Sequence, residues 1–173
     1  ISIISIMDII ISAMISDSKE TKKKESLNNS LMNRDKDLNR LTILGYRASR
    51  YYMENNNNKD DDYSTVDCFK TWSLVEDLEK IGDEVKRFAW YLKTSDLPNK
   101  KMDELLSMYV EIEKIYINTM GAFYKKDKTL MINQAATRDD LMLKLNKFLD
   151  DNYRFLCVSH MIEKLKNMLN HTH

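Results

Sequence analysis

Glu79 and Asp83 are the residues best placed for chemistry. They lie in L-E-K-I-G-D at 78–83, four residues apart. Carboxylates at i and i+4 leave one helix face together, and oxygen ligands from two neighbouring helices can converge on a cation. Elsewhere the spacing decays: Glu163 is followed at i+4 by Asn167, and Asp140 by Lys144. A polynuclear metal site needs several anions to offset its charge, and an ammonium at Lys144 repels a cation directly. The acids also read as an ordinary solvated face, with Lys80 and Lys86 beside them. His160, three residues before Glu163, gives H-x-x-E, the reverse of the E-x-x-H of di-iron bundles. His171 and His173 sit in a tail expected to fray. No Ser-His-Asp or Cys-His arrangement occurs at a recognisable spacing, nor does a P-loop, G-x-G-x-x-G or H-E-x-x-H. Nothing positions a nucleophile, so the chain reads as a non-enzyme.

These acids need a scaffold, and composition narrows it. The 173 residues include only three glycines and one proline, with 43% hydrophobic and 31% charged residues. So few turn formers argue against a sandwich, barrel or doubly wound sheet and point to an all-α fold. Lys+Arg and Asp+Glu are both 27, and no basic stripe stands out, so direct nucleic-acid contact by this segment is not expected. Cys68 and Cys157 lie in apolar helical stretches without ligand spacing. They read as buried free thiols in a reducing, cytoplasmic compartment. The opening I-S-I-I-S-I-M-D-I-I-I-S-A-M-I-S is apolar but short and is interrupted by Asp8. It is neither a spanning helix nor a signal peptide, which leaves the chain peripheral to a membrane at most.

Apolar spacing and breakers predict six helices. The first covers 3–16, with Ile3, Ile6, Met7, Ile10 and Met14 inward, and charged residues 17–25 form the connection. The second covers 26–54, with Leu27, Leu31, Leu38, Leu41, Leu44 and Ala48 on one face. N-N-N-N-K-D-D-D at 55–62 reads as a polar loop. The third, 64–93, carries the clearest stripe: Leu74, Leu78, Ile81, Val85, Phe88, Leu92. Pro98 follows it. Helices at 100–125, 129–150 and 153–170 complete the set. The count predicts two tandem three-helix bundles, 1–97 and 98–173. Echoes between 33–38 and 137–142, and between 77–82 and 161–166, support a degenerate repeat. Gly82 inside the third helix costs about 1 kcal/mol relative to alanine, and close approach of a neighbouring helix is the expected compensation. Trp90 and Tyr91 point about 100° apart, so one of them is a candidate for contact outside its own bundle.

Asp77, Leu78, Glu79, Lys80, Ile81, Gly82 and Asp83 resemble the D-L-E-R-I-G-D pattern of the PhoU family, with Lys80 for the usual Arg. M-N-R-D-K-D-L-N-R-L at 32–41 is similar to the family's E-R-D-x-E-V-D-R-L segment, as found in archaeal-type members. The resemblance implies two tandem three-helix bundles. It also implies regulation of phosphate uptake and phosphate-responsive signalling or transcription through protein contacts. Implied partners are the ATPase of a phosphate ABC transporter or a sensor kinase, with room for a homodimer. The chain starts with Ile rather than Met, which leaves room for an upstream AbrB-like DNA-binding domain. Some PhoU-like proteins bind iron or zinc through E(D)xxxD pairs, which makes Glu79, Asp83 and Asp35 the candidate metal ligands. Asn39 departs from that pattern where the family has Asp. Two other readings stay open: a carboxylate-rich metal-binding bundle with redox or hydrolytic activity, and a structural helical adaptor.

Overall fold

Ser64 shows how local chemistry starts an element. Its hydroxyl accepts from the Asp67 backbone N–H at 3.1 Å, and the Asp67 carboxylate accepts from the Ser64 N–H at 3.2 Å. This reciprocal capping box satisfies donors that a helix start otherwise leaves orphaned. Helix α3 runs from there over Thr65–Thr94, and the extended backbone of Ser95 ends it. The computed structural model describes residues 2–21, 25–55 and 64–172. Its helices, besides α3, are α1 (Ile3–Ser18), α2 (Glu25–Asn55), α4 (Asn99–Lys125), α5 (Lys128–Asn152) and α6 (Leu156–His171). Among the described residues there is no strand. The expected polar connections at 22–24 and, past Asn55, at 56–62 lie outside the described residues, as does His173.

The fold is all-α, two tandem three-helix bundles. Helices α1, α2 and α3 pack on one another, as do α4, α5 and α6, while α3 lies against α6 and α1 touches α4. One apolar core therefore runs through both bundles, from Met7 and Ile11 through Phe88 and Tyr109 to Leu165. The α3 stripe lies inward as its spacing predicts, with Leu78, Ile81, Val85, Phe88 and Leu92 buried and Leu74 packed at the margin.

Two other faces differ from expectation. On α1 the buried set is Ile4, Met7, Ile11, Met14 and Ile15, and Ile6 is turned outward. The helix is apolar nearly all round, so periodicity alone does not choose its face. On α2, Leu44 and Ala48 are exposed, and Gly45 and Ser49 are buried instead. Small residues there let α3 come close: a Cβ on Gly45 would stand 3.2 Å from Val75 Cγ1. Helix α6 starts at Leu156 and not at Tyr153, because Asn152–Phe155 forms a turn closed by the Phe155 N–H to Asn152 C=O bond at 3.1 Å. It also holds its helical form through His171, against the expected fraying.

The α1–α4 seam is polar at intervals. Asp8 accepts from the Tyr116 hydroxyl at 2.8 Å and the Tyr124 hydroxyl at 3.0 Å. Ser18 Oγ and the Tyr109 hydroxyl lie 2.7 Å apart, and Lys19 pairs with Glu113 at 2.7 Å. Burial, and then the Asp8 carboxylate, push the Tyr116 phenol well above its ordinary range. It donates and does not ionise. Asp8→Ala leaves the buried Tyr116 hydroxyl without its acceptor and is expected to cost about 1–2 kcal/mol in urea unfolding. A double-mutant cycle with Tyr116→Phe should show most of that cost as coupling.

Candidate functional site

The two segments carrying the carboxylates meet where α2 crosses α3. Asp35 follows the α2 face of Leu31 and Leu38 inward and is itself buried. Glu79 and Asp83 lie beside the α3 stripe and are half-buried. Gly82, between those two acids, is a point of the crossing with no room for a side chain. A Cβ there would overlap Leu38 Cδ1 and stand 3.9 Å from Met14 Sδ. The expected compensation for a mid-helix glycine is therefore present: α2 occupies the space.

What fills the centre of the acids is Lys86. Its Nζ donates to Asp83 Oδ1 at 2.8 Å and pairs with Asp35 Oδ1 at 2.8 Å. Arg87 adds a 2.7 Å bond from Nη2 to Asp83 Oδ2. Burial works to raise the Asp83 carboxyl, but Lys86 and Arg87 prevail and hold it below the usual carboxylate range. Burial likewise works to lower the Lys86 ammonium, and its two carboxylate partners raise it above the ordinary lysine value. Among the described residues Glu79 makes no ion pair of this kind. Partial burial, then Asp83, then Asp35 raise its carboxyl, and Lys86 and Lys80 offset this only in part.

This arrangement gives the candidate metal ligands a cation from the chain itself. Glu79, Asp83 and Asp35 do gather in one neighbourhood, but a lysine ammonium takes the space between the two aspartates. Among the described residues no group of three or more His, Cys, Asp or Glu side chains is placed to hold a metal ion. Lys86, itself half-buried, supplies the positive charge there, and a fixed ammonium repels a second cation.

Because the Glu79 carboxyl is raised, the folded chain binds more protons there than the unfolded chain does. Its destabilising contribution grows as pH rises through that carboxyl's titration and disappears below it. Glu79→Gln is thus expected to stabilise the chain at pH 7, by under about 1 kcal/mol after solvent screening. The gain should vanish in acid. Thermal unfolding at pH 4 and pH 7 checks this, and a loss of stability at pH 7 would contradict it.

The second bundle uses its departures from the acidic pattern for other contacts. Asn167 Nδ2 donates to Glu84 Oε1 at 3.2 Å, joining α6 to α3. Lys144 pairs with Glu111 at 2.8 Å, and Glu163 with Lys164 at 3.1 Å. The His160 ring stacks on Tyr91 at 4.9 Å between centroids, and His171 Nδ1 lies 3.2 Å from Asp77 Oδ1. Tyr91 is therefore the aromatic that reaches the other bundle, and its neighbour Trp90 is left 55% exposed. Cys68 is buried as expected, whereas Cys157 is half-buried with Ser95 Oγ at 3.2 Å.

Glu84 is the buried acid of α3, and residue type alone does not mark it. It accepts from Arg87 Nη1 at 3.3 Å and stands 3.5 Å from Lys164 Nζ. The signal was available: Glu84 follows Ile81 by three and precedes Phe88 by four, so it falls on the apolar face. Above this network opens a groove of about 830 Å³ between α2, α3 and α6. Asn28, Met32, Arg87, Trp90, Tyr91 and Lys164 line it. An exposed indole and methionine beside paired cations suit a protein segment better than a reaction.

With this geometry in place, the chain is similar to a solved structure, that of PhoU from Pseudomonas aeruginosa. The superposition has a TM-score of 0.79 and covers 99% of this chain and 88% of that chain, at 17% identity. The fold is PhoU-like. No family profile matches the sequence, and no curated protein sequence matches it. The two resembling segments, 32–41 and 77–83, lie on adjacent helices in direct contact, as the PhoU reading expects. No helix among the described residues is long and apolar enough to cross a membrane.

Proposed function

We propose that this chain is a PhoU-like regulatory protein that modulates phosphate uptake and phosphate-responsive signalling through protein contacts. The whole-chain likeness to PhoU carries this reading. The matching sequence pattern at 77–83 and 32–41 supports it from the residues themselves. On this reading the helical faces do the work, and the groove around Trp90 is the first surface a partner meets. The ATPase of a phosphate ABC transporter and a sensor kinase are the partners proposed, in the cytoplasm, and no enzymatic step is assigned. The reading as a metal-carboxylate enzyme is not favoured, because the Lys86 ammonium already offsets Asp35 and Asp83.

The test is affinity capture with the full chain from cells grown in phosphate-rich and phosphate-poor medium. Recovery of a phosphate-transport ATPase or a phosphate-responsive kinase in either state is expected. Trp90→Ala should reduce that recovery severalfold without changing helix content, because tryptophan is enriched among the few residues that carry most of a contact's energy. Recovery of neither class of partner would overturn the proposal.

A further inference from the structure

Helices α2 and α5 hold the same place in their bundles, and each leaves one face in solvent. At about 100° per residue, Lys36, Ile43, Leu44, Arg47 and Tyr51 share an arc of about 100° on α2. Ile43 and Leu44 are each 52% exposed and Tyr51 70%. On α5, Ile132, Ala136, Asp140, Leu143, Asp150 and Asp151 share an arc of similar width. Ile132 is 72% exposed and Leu143 68%. Each face is thus an apolar line edged with charge.

The charges that remain after pairing within the chain have opposite signs. On α2, Asp37 offsets Arg40 at 3.0 Å and Glu54 offsets Arg50 at 2.7 Å. Lys36 and Arg47 enter no ion pair among the described residues, which leaves two positive charges. On α5, Arg138 offsets Asp139 at 3.1 Å, and Lys144 is held by Glu111 at 2.8 Å. Asp140, Asp150 and Asp151 remain against Lys128 and Lys147, and three acids less two bases leave one negative charge.

We propose that the outer face of α2 docks antiparallel on the outer face of α5 of a second copy of this chain. The positions decide the direction. Lys36 and Arg47 are eleven residues apart, as are Asp140 and Asp151, a rise of about 16 Å in both cases. Run antiparallel, Lys36 meets Asp151 and Arg47 meets Asp140. The same register sets Leu44 on Leu143 and Tyr51 on Ala136. Lys147 falls opposite Arg40 and Asp150 opposite Asp37, and Arg40 and Asp37 already offset each other. The parallel register that keeps both ion pairs, Lys36 on Asp140 and Arg47 on Asp151, sets Leu44 on the buried Phe148 and Leu143 on Asn39, so the exposed apolar lines miss each other. Each copy carries one face of each kind, so the contact is heterologous and either closes or runs on as a chain.

Sedimentation velocity over a wide concentration range, at low and high salt, tests the contact. The mass of the wild-type chain is expected to rise above the monomer with concentration and to fall back as salt screens the charges. Arg47→Glu and Asp140→Lys should each weaken association at least about tenfold. Mixing the two variants should restore it, because every contact between unlike copies again joins opposite signs. Circular dichroism confirms that both variants stay folded, as exposed positions allow. The proposal is overturned if the wild type stays monomeric throughout, if either variant assembles like the wild type, or if the mixture fails to recover.

Discussion

Lys86→Met lowers the stability of the folded chain by about 3 kcal/mol at pH 7, because removing one partner strands buried charge. Asp35 is 8% exposed and faces the Lys86 ammonium at 2.8 Å. Without that ammonium, Asp35, Asp83 and Glu79 repel one another across the α2–α3 crossing, and only Arg87 still offsets Asp83. The pH dependence follows from the shifts. The raised Lys86 contributes fully below the unfolded lysine value of about 10.4, and the contribution is lost as pH rises through the higher folded value. The lowered Asp83 contributes above the unfolded aspartate value of about 3.9, and that is lost as pH falls through the lower folded value. The gap between wild type and variant is therefore widest between those limits and narrows at both ends. Urea unfolding across that range measures it, and a variant as stable as the wild type at pH 7 would refute the account. Lys86→Ala, which leaves more room, should regain part of its loss in millimolar divalent cation.

Gly82→Val destabilises the chain by about 3 kcal/mol, at the upper end of overpacking costs. The first added carbon already overlaps Leu38 Cδ1, and Leu38 is 1% exposed, so its displaced methyl must move within the packed core. The branches of valine add to this, with Met14 Sδ next in line. Alanine at the same position loses less, since its better helix propensity returns about 1 kcal/mol. Leu38→Ala clears the overlapping methyl, so the double variant should be less destabilised than the two single changes summed. Strict additivity would show that the crossing is looser than described. Gly121 is the contrast, with nothing within 4 Å of a built Cβ, and its change to alanine should be neutral or stabilising.

The same crossing shows what the sequence discloses and what it withholds. The α3 face was legible because apolar residues recur there at steps of three and four with polar residues between them. The α2 face was not, since Gly45 and Ser49 are too small to mark a core by hydrophobicity. Leu44, which does look like core, falls on the other side. The acid pair was legible from its spacing. Its cation was not, because Lys86 reaches Asp35 only through the register of two helices, and no local pattern encodes that distance. Glu84 was legible in principle and was obscured by its charge. In the second bundle, Asn167 and Lys144 read as weakened ligands, yet they bond to Glu84 and Glu111. A residue that has lost one role in a repeat can hold another.

The ammonium between Asp35 and Asp83 has one more consequence. A positive charge carried on the polypeptide is made in fixed proportion with every molecule at the ribosome. It cannot be withheld by scarcity, exchanged for a neighbouring element or stripped by a competitor. The melting temperature of the wild-type chain should accordingly be the same in EDTA as in buffer. The integrity of this junction is then a matter of translation and acidity, independent of supply.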